Sequence, residues 1–164
     1  MNLEKLIEEK TKILENTKKI LKEEFFGIDD QINKLVDSIK TWYIMPEIIT
    51  YPLIINLWSM TGSGKTSLVR SLVEKLNLSN KYCELQLSNN GIATTEKYDN
   101  KTLIDYLHKS NIHDEEQGIL FLDEFQRFRT VDEMGKDIKD SHFQEVWMML
   151  SDGKFARPNL NKDL

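Results

Sequence analysis

Apolar residues recur in pairs seven positions apart at the start of the chain, at Leu6-Ile7, Ile13-Leu14 and Ile20-Leu21, with lysine and glutamate between them. That spacing predicts a helix from residue 3 to about 25. A coiled-coil or interaction helix would show this repeat, and so would a helix laid on the domain's own surface; three heptads are few for a coiled coil. Phe25-Phe26-Gly27-Ile28 breaks the pattern. Ile32, Leu35, Val36, Ile39 and Trp42 then share one face of a second helix, capped by Asp29 or Asp30 and ended by Pro46. The stretch to Pro52 reads as a linker.

Leu53-Ile54-Ile55-Asn56-Leu57-Trp58 follows as an apolar strand running into a glycine turn. Behind the turn, Leu68, Val69, Leu72, Val73 and Leu76 mark a helix from Thr66 to about Leu76, its apolar face toward a sheet. Tyr82 to Leu87 alternates, with Cys83, Leu85 and Leu87 on one side, so Cys83 reads as a small core residue; no positive partner stands nearby to activate it. Residues 88–101 are polar and turn-rich, a surface loop. A short helix is expected from Thr102 to Lys109, and Gly118 to Leu122 is a buried strand delivering Asp123 and Glu124. Phe143 to Leu150 is an amphipathic helix that closes on Ser151-Asp152-Gly153-Lys154. Strand, helix, strand, helix, strand in that order predicts an α/β fold.

Composition narrows the class without naming a function. At 164 residues the chain is one domain or part of one. With 30% charged residues and a net charge of −5 it reads as an ordinary soluble protein, without general affinity for nucleic acid or anionic membrane. No apolar run approaches the ~20 residues of a membrane span. The N-terminus has no secretory pattern, and cytoplasm is the default location. One cysteine cannot form an internal disulfide, and His108, His113 and His142 give no zinc spacing.

The chemistry lies in two short stretches. In Gly62-Ser63-Gly64-Lys65-Thr66 the glycines let backbone N–H groups curl inward, and the following helix adds its positive dipole end. Lys65 can then reach β- and γ-phosphates, the Thr66 hydroxyl can ligate Mg²⁺, and Ser67 lies next in line. The first glycine of the phosphate-loop pattern is replaced by Ser59, which leaves the phosphate-contacting half whole. Asp123, 58 residues beyond Lys65, stands at a strand end where α/β ligands bind and can hold the Mg²⁺ shell. Glu124, pointing to the strand's other face, can polarise the attacking water.

An apolar-Gly-Ile-Asp turn, a capped helix and a phosphate loop resemble the start of an AAA+ ATPase module. The resemblance runs from about Phe26 to Phe155, and the helix closing on Leu150-x-Asp152-Gly153-Lys154 is similar to Clp-type unfoldases. It implies a P-loop NTPase fold, a three-layer α/β/α arrangement with a mostly parallel sheet, preceded by an N-terminal helix over 1–25 and occupying 26–164. It also implies ATP and Mg²⁺, with Phe26, Gly27 and Ile28 beside the adenine. The pore loop of such enzymes has no clear counterpart; Asn90-Gly91-Ile92 and Tyr98 are weak candidates. Asp123-Glu124-Phe125-Gln126 is also similar to the acidic motif of UvrD-like helicases, which place more chain between their motifs. Small-molecule kinases fit the length but seldom carry this acid pair. Arg127 and Arg129 read as solvated, with contact to a neighbour's nucleotide or to nucleic acid as the alternative.

After Phe155 the chain leaves no room for the sensor strand, arginine finger and lid that the family would add, so the fold is expected to be incomplete at its C-terminus. Three readings are open: part of a split ATPase completed by another polypeptide or by further copies, a reduced nucleotide-binding domain, or a remnant. The functional expectation is Mg²⁺-dependent ATP hydrolysis driving remodelling of a macromolecule. The alternatives are a nucleotide-binding subunit that docks on a partner ATPase, and a helicase-type DNA motor fragment.

Overall fold

The structure is a computed structural model that describes residues 3–60, 62–88, 91–92, 102–113, 116–127, 134–136 and 141–152. It divides into two compact units, Met1–Tyr82 with Asp114–Ile119, and Cys83–His113 with Leu120–Leu164.

The first unit is helical. Helix α1 spans Leu3–Glu24, α2 Asp29–Ile44 and α3 Lys65–Lys75. The heptad pairs of α1 turn inward: Leu14 and Leu21 are fully buried with Ile32, Leu35, Val36 and Ile39 of α2, and Ile7 and Ile13 pack at the margin. The helix thus lies on its own domain. Leu68, Leu72 and Leu76 complete the same cluster, so this face of α3 meets helices where a sheet was expected. Polar links tie the three helices: Thr17 Oγ1 donates to the Lys75 carbonyl at 3.3 Å, and Lys10 Nζ to the Tyr43 carbonyl at 2.9 Å. The residue preceding α2 is Ile28, and no side chain caps that end; Asp29 and Asp30 lie inside the first turn, where carboxylates still favour the positive end of the helix. Gln117 Nε2 reaches the Trp42 carbonyl at 2.9 Å, and Lys81 pairs with Glu116.

Residues 52–60 form neither helix nor strand, which corrects the expected strand before the loop. The alternation is nevertheless present. Ile55 and Leu57 pack against the helical cluster, while Ile54 and Trp58 face outward, Trp58 at 89% exposure. A strand requires a hydrogen-bonded neighbour, and among the described residues none pairs with this run.

The second unit holds the sheet, ordered β2-β1-β3: β1 is Tyr82–Ser88, β2 Gly91–Ile92 and β3 Ile119–Asp123. β2 returns antiparallel, with Leu87 opposite Ile92, and β3 runs parallel to β1. Cys83, Leu85 and Leu87 are buried as the alternation requires. Between β1 and β3 runs α4, Leu103–Lys109. Thr102 and Asp105 form a reciprocal capping box at its start, which satisfies two backbone N–H groups. Leu103 and Leu107 of α4 and Val146 of α5, Ser141–Asp152, close the core over Cys83 and Leu85. β3 is half-buried throughout, less covered than the buried strand expected. No helix among the described residues is long and apolar enough to cross a membrane.

Candidate nucleotide site

Gly62 and Gly64 adopt φ of +80° and +86°, the left-handed region that side chains disfavour, and Gly64 is the residue from which α3 starts. A Cβ at either would meet nothing within 4 Å, so backbone conformation alone calls for glycine here. Ser63 N donates to the Met60 carbonyl at 3.3 Å, which folds the turn back on its start. Lys65 Nζ sits on that start as well, donating to the carbonyls of Ser59 at 3.1 Å and Met60 at 3.0 Å. The Ser59 and Ser63 hydroxyls share a hydrogen bond of 2.5 Å. Thr66 is half-buried in the first turn of α3 and Ser67 is exposed beside it. The result is a positive, amide-rich helix start with a primary ammonium beside it, which suits a phosphate.

The acid pair departs from simple alternation. Asp123 ends β3, but Glu124 leaves the strand with φ +57°, so strand alternation no longer sets the face its carboxylate takes. The amide of Glu124 donates to Asp123 Oδ1 at 2.9 Å, and its carbonyl accepts from Arg127 N at 2.8 Å. Glu124 Oε2 accepts from Gln126 Nε2 and pairs with Arg127 Nε at 3.2 Å, folding the side chain onto the 3₁₀ turn Phe125–Arg127. Arg127 is thus more than half exposed, as expected, yet engaged. Of the residues expected near an adenine, Phe26 is 87% exposed, Gly27 has a left-handed φ and Ile28 packs on the helical cluster. Thr61, Tyr98, Arg129, Gly153-Lys154 and 155–164 lie outside the described residues.

A family model described as ATPase family associated with various cellular activities (AAA) matches residues 55–154, more than half of the chain. The chain belongs to the AAA family. No curated protein and no solved structure matches it. Membership makes it a P-loop α/β module of a nucleotide-binding ATPase family.

Within that AAA module the loop residues Gly62 to Ser67 are brought together in one turn of the first unit, and Asp123 and Glu124 stand together in the second. The Thr66 hydroxyl in the first unit and the Asp123 carboxylate in the second are each hard oxygen donors of the kind Mg²⁺ accepts. Cys83 has no place in this chemistry: it is buried, and burial raises its thiol pKa. Three contacts at the site, made by Ser59, Gln126 and Arg127, were not read from the sequence. The Ser59 hydroxyl was signalled only by its standing in a glycine position. Gln126 and Arg127 lay two and three residues past Glu124, a spacing that meets it only once the chain turns.

Proposed function

We propose that this chain binds ATP with Mg²⁺ and hydrolyses the β–γ phosphate bond, as the motor of an assembly that remodels a macromolecule. The loop geometry at Gly62–Lys65 carries this reading, set beside the family match. Backbone N–H groups of Gly62, Ser63 and Gly64 would hold phosphate oxygens. Lys65 would leave its two carbonyls for the β- and γ-phosphates. Thr66 and Asp123 would hold Mg²⁺, with Ser67 at the loop's end. When bound, Mg²⁺ supplies charge neutralisation on the phosphate oxygens. Glu124 would orient or deprotonate the water that attacks the γ-phosphorus. Gly27 and Ile28 would border the adenine. In this reading residues 1–25 form an N-terminal helix and 26–164 the nucleotide core, a three-layer, mostly parallel domain nearest in pattern to Clp-type modules. Another polypeptide or further copies would complete the site, in the cytoplasm.

One observation favours a second reading, nucleotide binding without turnover and docking on a partner ATPase: the Glu124 carboxylate is engaged by Gln126 and Arg127. Paired variants separate the two. Lys65→Ala is expected to lower affinity for a fluorescent ATP analogue by about a hundredfold or more, as befits loss of a charge-assisted contact to phosphate. Glu124→Gln is expected to keep binding and stop hydrolysis. Hydrolysis at the wild-type rate by Glu124→Gln would remove that residue's role.

A further inference from the structure

Ser59 occupies the one position where the loop departs from the phosphate-loop pattern, and glycine there would remove a hydroxyl that the structure uses. That hydroxyl is bonded to Ser63, four residues on, across the mouth of the turn. Ser63 lies between Gly62 and Gly64, the two residues with left-handed backbone. The bridge therefore clamps the middle of the amide-bearing segment to its start. Two other links cross the turn, from the Ser63 amide to the Met60 carbonyl and from Lys65 Nζ to the carbonyls of Ser59 and Met60; both use main-chain acceptors and survive any substitution at 59. Both have to open if the ammonium and the Ser63 amide are to reach a phosphate, whereas the hydroxyl bridge can persist.

We propose that Ser59 is a positioning residue for nucleotide phosphate: through Ser63 it sets the Gly62–Gly64 amides before the nucleotide arrives. The inference rests on the nucleotide site described above. A loop already held in its binding conformation loses less freedom when the ligand docks. Glycine at 59 would free the backbone as well as delete the clamp, adding to the ordering cost. The pattern-based expectation has the opposite sign, since Ser59→Gly restores the usual first glycine and should tighten binding.

The test is a titration of the full chain with a fluorescent ATP analogue and Mg²⁺, on wild type, Ser59→Gly, Ser59→Ala, Ser59→Thr, Ser63→Ala and the Ser59→Ala/Ser63→Ala double variant. One hydrogen bond converts to about a fivefold change in Kd. Ser59→Gly and Ser59→Ala are expected to bind about fivefold more weakly, Ser59→Thr within about twofold of wild type, and Ser63→Ala like Ser59→Ala. The double variant is expected to lose no more than either single one, because both delete the same bond. Thermal unfolding of the variants should match wild type, the serines being exposed. Unchanged or tighter binding by Ser59→Gly, or additive losses in the double variant, would overturn the proposal while leaving the nucleotide site in place. Absence of binding by wild type, or equal binding by Lys65→Ala, would overturn the nucleotide site itself and this inference with it.

Discussion

In the first unit three helices enclose Leu14, Leu21, Ile32 and Val36 at 1% exposure or less, whereas in the second the β3 residues Leu120 to Asp123 all remain half-buried. The two halves of the proposed chemistry therefore stand on different foundations. Lys65 opens a helix whose Leu68, Leu72 and Leu76 are locked into the larger core. Asp123 ends a strand held by β1 and by partial packing of Leu120 and Leu122. A parallel strand is ordinarily covered on both faces. Local stability follows such burial, so α3, which carries Lys65, is expected to open later than β3, which carries Asp123. Strained, thinly buried sites also depend more on local polar contacts, and Glu124 is held by three hydrogen bonds and an ion pair around its positive φ.

The sharpest way to break this contrast is to cut equal side chains from the two cores. Leu21→Ala empties a fully buried site and is expected to cost about 3 kcal/mol or more. Leu122→Ala removes a side chain that is only partly buried and is expected to cost about 1–2 kcal/mol. Urea unfolding followed by tryptophan fluorescence measures both. Equal losses would mean that β3 is as well supported as the helices, and the contrast would be wrong.

The helices were legible because each carries its own period. Heptad pairs in α1 and the Ile32–Ile39 face of α2 point to the cluster they form, and Cys83, Leu85 and Leu87 point inward by simple alternation. What the chain could not reveal is what lies opposite each face. α3 has the same apolar stripe whether it meets a sheet or two helices, and residues 53–58 alternate whether or not a neighbour pairs with them. At the site, the glycine loop was readable because left-handed backbone at Gly62 and Gly64 has a residue-level signature. Glu124 was misplaced for the complementary reason: alternation assumes an extended backbone, and a glutamate at φ +57° gives no such signature.

A second comparison sets two side chains against each other at one left-handed site, Gly64. Gly64→Ala places a Cβ in open space, so its cost is that of the backbone alone, about 1–2 kcal/mol. Gly64→Asn should recover part of this, because asparagine tolerates the conformation better. Thermal unfolding of the two variants is the measurement. A loss shared equally by both would point to something other than φ, such as a loop that rearranges once the glycine is gone.

The smallest effect expected concerns how α3 is pinned at its far end. Glu24 of α1 accepts a hydrogen bond from Ser71 at 2.5 Å and lies 3.5 Å from Lys75. The Ser71 hydroxyl first, and the Lys75 charge after it, hold the Glu24 carboxyl below its ordinary value of 4.5, against a smaller opposing effect of desolvation than the hydroxyl's. A carboxyl whose pKa is lower folded than unfolded contributes stability above its unfolded pKa, and that contribution is lost as pH falls through the folded one. Wild type should therefore lose melting temperature on acidification below about pH 4.5 slightly more steeply than Glu24→Gln, with the two curves parallel above pH 6. Ser71→Ala should remove the larger part of that difference, and added salt the smaller part, since only the Lys75 contribution is screened. Should Ser71→Ala leave the acid limb unchanged while salt flattens it, the lysine would be the principal anchor of this end of α3, and the hydroxyl a bystander.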